Sequence, residues 1–295
     1  MGIQSSTLDL SGLTSLPDSA AEILRKYKGS LDLSGLTSLS DAAAESLSKH
    51  KGGSLDLSGL KSLSDAAAES LSKYEGGLNL SGLSSIFGTE TESPIKNEET
   101  TDQSGLTSMS NASEESLNQH QGELILRVTS KSLTDTQAER LSEHQGKLWL
   151  SGLTNLSDTH AESLSKHQGG LRLDGLTSLS DSVAELLSKH QGTIDLSGLT
   201  SISDATAVSL SKSHGGLCLN GLKSLTDEQA EILSKQRGIL WLEGITSLSD
   251  NQAESLSKHK GWLWLTGLAS LPDNQAKSLS NRQARVFLPK TFERR

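Results

Sequence analysis

One phrase recurs along this chain every 23 or 24 residues: Leu31-Asp-Leu-Ser-Gly-Leu36-Thr-Ser-Leu39-Ser-Asp41-Ala-Ala-Ala44-Glu-Ser-Leu47-Ser-Lys-His-Lys-Gly52. A fixed period of this length is the signature of stacked repeats, each too small to bury its apolar face alone. The leading leucine falls at Leu8, Leu31, Leu55, Leu78, Leu124, Leu148, Leu171, Leu217, Leu240 and Leu263, and Ile194 holds the same column. A degenerate rung at 101 keeps the period, and Val286 opens a closing segment over 285–295. Residues 1–295 therefore read as one solenoid of about twelve repeats.

Within each repeat, Leu-x-Leu alternation predicts a short strand with one buried and one solvated face. The glycine that follows (Gly12, Gly35, Gly59, Gly198 and their counterparts) predicts a sharp exit turn at positive φ. The Asp column, Asp18, Asp41, Asp65, Asp181 and the rest, predicts a helix N-cap. Eleven residues later Gly29, Gly52, Gly76 and their counterparts suit a left-handed C-terminal glycine. Between the two, Ala44 and Leu47, three apart, share one helix face. Each unit is strand, turn, short helix, turn.

The stretch Leu-x-Leu-x-x-Leu-x-x-Leu-Ser/Thr-Asp-x-x-Ala-x-x-Leu resembles a leucine-rich repeat, closest to the cysteine-containing style. It is also similar to the low-complexity leucine-rich proteins of planctomycete-like bacteria. The resemblance implies an α/β, right-handed horseshoe solenoid with a parallel concave sheet and short convex helices. One departure is plain. Where the family places a buried Asn or Cys after the strand, this chain has Leu13, Leu36, Leu60, Leu153, Leu176, Leu199, Leu222 and Ile245.

Composition narrows the function. A net charge of −9 argues against a phosphate-seeking surface, and so against nucleic acid. One cysteine, Cys218, gives no disulfide framework and fits a reducing compartment. No run reaches the roughly 18 apolar residues of a membrane span, and no signal sequence opens the chain, so a cytoplasmic protein without membrane contact is expected. No Ser-His-Asp arrangement, phosphate loop or cofactor motif stands outside the repeat columns, so neither an enzyme nor a cofactor or metal site is expected.

Function then belongs where repeats differ. From Phe87 to Gln103 the fourth repeat decays: Gly88 and Pro94 replace a cap and a core leucine, and Thr101 and Gln103 replace strand leucines. This segment reads as drift into an acidic loop, or as a docking loop. The repeat at Leu124 loses its glycine and gains a residue, which predicts a bulged turn. His50, His120, His144, His167, His190 and His259 share one column, with Tyr27 and Tyr74 substituting. Neighbouring helices about 8–10 Å apart cannot share a zinc, so polar contacts at the helix C-terminus explain the column better.

The residue between the strand leucines reads Asp9, Asp32, Asp56, Asn79, Asp102, Ile125, Trp149, Arg172, Asp195, Cys218, Trp241, Trp264, Phe287. Its acidic end either keeps the face soluble or, with rungs about 4.8 Å apart, raises carboxylate pKa values or draws a cation. Its other end is aromatic, and all four tryptophans fall on the predicted concave face. Since a solvated face has no structural need for Trp, the expected binding residues are Trp149, Arg172, Ile239, Trp241, Trp262, Trp264, Arg285 and Phe287. A tail that folds back over the patch is the competing explanation. The function read from the chain is a non-catalytic scaffold for a protein or peptide; a carbohydrate surface beside Asp174, Asp195 and Glu243, or a structural spacer, are the alternatives.

Overall fold

A leucine at every second strand position and a capped helix ten residues after the leading leucine require that each repeat lie against the next, and the structure stacks them so. This computed structural model describes residues 6–83, 111–120, 122, 124–127, 131–144, 146–280 and 285–290. The chain divides into two compact units, residues 1–129 with 144–149, and 130–143 with 150–295.

The first unit carries strands β1 (Leu8–Asp9), β2 (Leu31–Asp32), β3 (Ser54–Asp56), β4 (Gly77–Asn79), β5 (Leu124–Arg127) and β6 (Lys147–Trp149). Its helices are α1 (Asp18–Leu24), α2 (Asp41–Ser48), α3 (Asp65–Ser72) and α4 (Asn111–Asn118). The second unit carries β7 (Leu171–Arg172), β8 (Ile194–Asp195), β9 (Leu217–Cys218), β10 (Ile239–Trp241), β11 (Trp262–Trp264) and β12 (Arg285–Phe287). Its helices are α5 (Asp135–Glu143), α6 (Asp158–Ser165), α7 (Asp181–Leu187), α8 (Asp204–Ser211), α9 (Asp227–Leu233), α10 (Asp250–Ser257) and α11 (Asp273–Leu279). Within each unit sheet order is chain order, β1 to β6 in the first and β7 to β12 in the second, with parallel pairing.

The core is one column per repeat position. Leu33, Leu36, Ala44 and Leu47 are fully buried, as are Leu196, Leu199, Ala207 and Leu210 six strands later. The leucines in place of the family's Asn therefore pack and do not bond. The hydrogen-bonded ladders run elsewhere. Ser40 Oγ donates to Asp18 at 2.5 Å, Ser113 to Asp65 at 2.5 Å and Ser249 to Asp227 at 2.7 Å, each to the helix before it in the stack.

Those contacts correct the expected cap. The helix begins at the Asp, and the preceding Ser or Thr is the N-cap: Ser40 Oγ accepts from the backbone N–H of Ala43, and Thr226 forms a full capping box with Gln229. The hydroxyl serves both ends, accepting from its own helix and donating to the neighbouring carboxylate. Pro17 and Pro272 leave α1 and α11 with no side-chain cap.

The glycines are also explained differently. No positive φ is taken at Gly35 or Gly59 in the one column, nor at Gly52 or Gly76 in the other. A Cβ at Gly35 would stand 2.0 Å from the carbonyl oxygen of Ser11, and one at Gly52 2.1 Å from that of Gly29. Close stacking of turn on turn is what excludes a side chain. Gly12, with no turn before it, has nothing within 4 Å.

Two irregularities sit in the first unit. β4 pairs directly with β5, Leu78 opposite Leu124, and α3 packs on α4. The rung expected at Thr101–Gln103, with the rest of the decayed repeat, lies outside the described residues, and the ladder closes without it. β5 then changes register by two residues, pairing Leu124 with Leu78 but Leu126 with Leu148. An even step keeps every side chain on its face. The bulge expected after β5 lies at 128–130, outside the described residues.

The histidine column is a buried stack. His50, His120, His144, His167, His190 and His259 are at most 3% exposed. His50 stacks on Tyr74 with centroids 6.0 Å apart, Tyr74 on His120 at 6.4 Å, and His167 on His190 at 6.0 Å. His50, His120 and His259 reach back through Nε2 to the carbonyl of the preceding turn, Gly29, Gly76 and Gly238, at 3.0–3.1 Å. Among the described residues, no group of three His, Cys, Asp or Glu side chains could hold a metal ion.

Candidate interaction face

In β11, Trp262 and Trp264 flank the fully buried Leu263, so both lie on the sheet face away from the core. Register places Ile239, Trp262 and Arg285 in one column and Trp241, Trp264 and Phe287 in the next. Phe287 stacks on Trp264 with centroids 4.1 Å apart and planes 12° from parallel. It also meets Trp262 at 5.5 Å, and the Arg285 guanidinium lies 5.6 Å from the Trp262 ring centre. Contacts of this kind contribute about 0.5–1.5 kcal/mol each.

The rings are not equally free. Trp262 is 42% exposed, while Trp241, Trp264, Ile239 and Phe287 are half-buried. A Cβ at Gly216 would stand 2.7 Å from the Trp241 ring, so that ring covers the glycine of the neighbouring strand. Trp241 therefore does have a structural task, covering backbone that a glycine leaves bare, contrary to the sequence expectation. The indole Nε1 of Trp264 is buried with no hydrogen-bond partner.

Two of the expected residues stand apart. Trp149 belongs to the first unit, with Arg127 as its register partner on β5. Arg172, on β7, is engaged by Asp174 at 2.8 Å and Asp195 at 3.5 Å. The structure thus gathers Ile239, Trp241, Trp262, Trp264, Arg285 and Phe287, all from β10 to β12.

The acidic column has a local task. Asp9, Asp32 and Asp56 each accept the backbone N–H two residues on, from Ser11, Ser34 and Ser58, at 2.9–3.0 Å. The Ser11 hydroxyl and N–H hold the Asp9 carboxyl below its ordinary value, opposite in direction to like-charge repulsion. Cys218 is half-buried; burial pushes its thiol up to about 11, which suits an inert side chain. No helix among the described residues is long and apolar enough to cross a membrane.

Sequence reasoning missed the border of this face. Immediately ahead of the glycine that follows each helix runs the column Lys28, Lys51, Glu75, Gln168, Gln191, His214, Arg237, Lys260. It turns basic beside the aromatic rungs, a signal visible only once register is known.

No family model and no curated protein matches the chain. Among solved structures, a leucine-rich-repeat protein of Leptospira interrogans is 15% identical, with 96% of this chain and 76% of its own covered at a TM-score of 0.45. An internalin of Listeria monocytogenes is 16% identical, with 90% and 82% covered at a TM-score of 0.37. Strand–turn–helix units repeated in order, with buried leucine columns under a parallel sheet, give this chain the architecture of a leucine-rich-repeat solenoid.

Proposed function

We propose that the chain is a non-catalytic scaffold that holds a protein or peptide on the open sheet face of β10–β12. The observation that carries this reading is Trp262, 42% exposed on a face whose other aromatic rings are half-buried. Trp264, Phe287 and Arg285 hold its surroundings rigid, so little side-chain entropy remains to be lost on binding. Tryptophan and arginine are also the commonest anchors of protein interfaces.

Selection of a random peptide display library against the full chain tests this. Selected peptides should bind the wild type and lose about tenfold or more affinity for Trp262→Ala. Peptides that bind both proteins alike would refute the site. A glycan array read in parallel addresses the sugar reading: glycans retained through Trp262 where peptides are not would replace the proposal.

A further inference from the structure

Where the chain enters β10, β11 and β12 stand three exposed cations: Arg237 and Lys260, two residues ahead of β10 and β11, and Arg285, which opens β12 in register with Trp262. Among the described residues none of them makes an ion pair. The helix lysines of the same repeats do: Lys235 with Glu231 at 3.2 Å and Lys258 with Glu254 at 3.1 Å. Near β2 and β3 the same border column holds Lys28 and Lys51, but there the open face is acidic, with Asp32 and Asp56. Only beside the aromatic rungs does an unpaired basic border meet an apolar surface, that of Ile239 and Trp262. The acids nearest in the fold are turned to other tasks or sides. Arg172 holds Asp174 and Asp195, and Glu243 follows the far end of β10.

We infer that this border selects acidic peptides: a short extended segment with at least two Asp or Glu side chains and one large apolar residue. The inference rests on the open face being the recognition surface. The apolar residue lies against Ile239 and Trp262, and the carboxylates meet Arg237, Lys260 and Arg285. Rungs are about 4.8 Å apart, while same-side residues of an extended peptide are about 6.7 Å apart. Long Arg and Lys side chains span that difference, and a guanidinium takes a carboxylate through two parallel hydrogen bonds. A single-stranded nucleic acid also pairs cations with aromatic rings, but it needs successive free rings and a basic groove. Here one ring is well exposed, and the molecule as a whole carries −9.

The peptides selected on the full chain decide the matter. They should be enriched in Asp and Glu around one large apolar residue. In fluorescence anisotropy a selected peptide should weaken about tenfold or more on Arg237→Glu with Lys260→Glu, and also when its acids are changed to amides. Both substitutions are on exposed side chains, and circular dichroism checks that the fold is kept. Selected peptides that need Trp262 but show no acidic bias would overturn this inference and leave the recognition face standing. Failure to select anything above a Trp262→Ala background would overturn both. Tighter binding of oligothymidylate than of the peptides would overturn the inference in favour of nucleic acid.

Discussion

The imidazole Nε2 of His259 lies 3.1 Å from the carbonyl oxygen of Gly238, one repeat earlier. Tyr74 makes the same contact through its hydroxyl to Gly53 at 2.9 Å, and Gln236 through its amide to Gly215 at 2.6 Å. What the column asks for is a neutral buried donor, and a charge there is a liability. Burial pushes His120, His190 and His259 below the ordinary histidine value, and His144 down to about 4.

A pH dependence follows from those directions. The folded values lie below the roughly 6.5 of an unfolded histidine, so the unfolded chain takes up protons first as pH falls. Stability is full above about pH 6.5 and declines through the window down to the folded values, about 4 for His144. Urea midpoints measured from about pH 7.5 to pH 4.5 should fall. His144→Gln, which installs the residue the chain already uses at Gln236, should make that decline shallower by close to one proton. An unchanged slope would mean that His144 is not held neutral in the fold.

Gly12 and Gly35 hold the same place in successive repeats, yet only Gly35 has a turn against it, the Ser11 carbonyl oxygen standing 2.0 Å from where its Cβ would lie. Gly35→Ala should cost about 2–3 kcal/mol by forcing two turns apart. Gly12→Ala should stay within about 0.5 kcal/mol of wild type. Thermal melts of the two variants compare like with like; equal losses would point to backbone conformation and not to stacking.

The tryptophans should separate into two classes. Trp241→Ala uncovers Gly216, and Trp264→Ala breaks the stack with Phe287, so each should cost about 1–2 kcal/mol. Trp262→Ala, which loses only a tilted contact to Phe287 and the exposed Arg285 contact, should cost less, about 0.5–1 kcal/mol. If Trp262→Ala melts as early as Trp264→Ala, the exposed ring is part of the sheet's own packing.

Period, leucine columns and strand–helix alternation were all legible in the sequence, because they depend on one residue type recurring in phase. Contacts between repeats were not. Asp41 reads as a cap until Ser40 is seen to cap its own helix and bond Asp18 across the stack. Gly35 reads as a positive-φ turn until Ser11 is seen against it. The aromatic end of the face was legible as an oddity, but its division was not: register keeps Arg172 in the column of Trp241, with Asp195 and Cys218 on the two strands between them, and Trp149 is paired with Arg127 on β5. The border of Arg237 and Lys260 escaped notice because each, alone, is an ordinary surface cation.

The direct pairing of Leu78 with Leu124 uncouples the length of the chain from the number of its rungs. Between those leucines the sequence spends two periods where the sheet advances by one. The words on either side are interchangeable: Ser81-Gly82-Leu83-Ser84-Ser85-Ile86 matches Ser104-Gly105-Leu106-Thr107-Ser108-Met109 position for position. Excising residues 88–110 joins Phe87 to Asn111 and restores the spacing of an ordinary repeat, Leu83 standing five places ahead of the helix start as Leu36 does before Asp41. The shortened protein should keep its circular dichroism spectrum and its melting cooperativity, with β4 still beside β5; a molten or split transition would show that the excised stretch supports the stack. If it folds, this point is a port: a place where the array accepts or releases a whole sequence module without its neighbours registering the change.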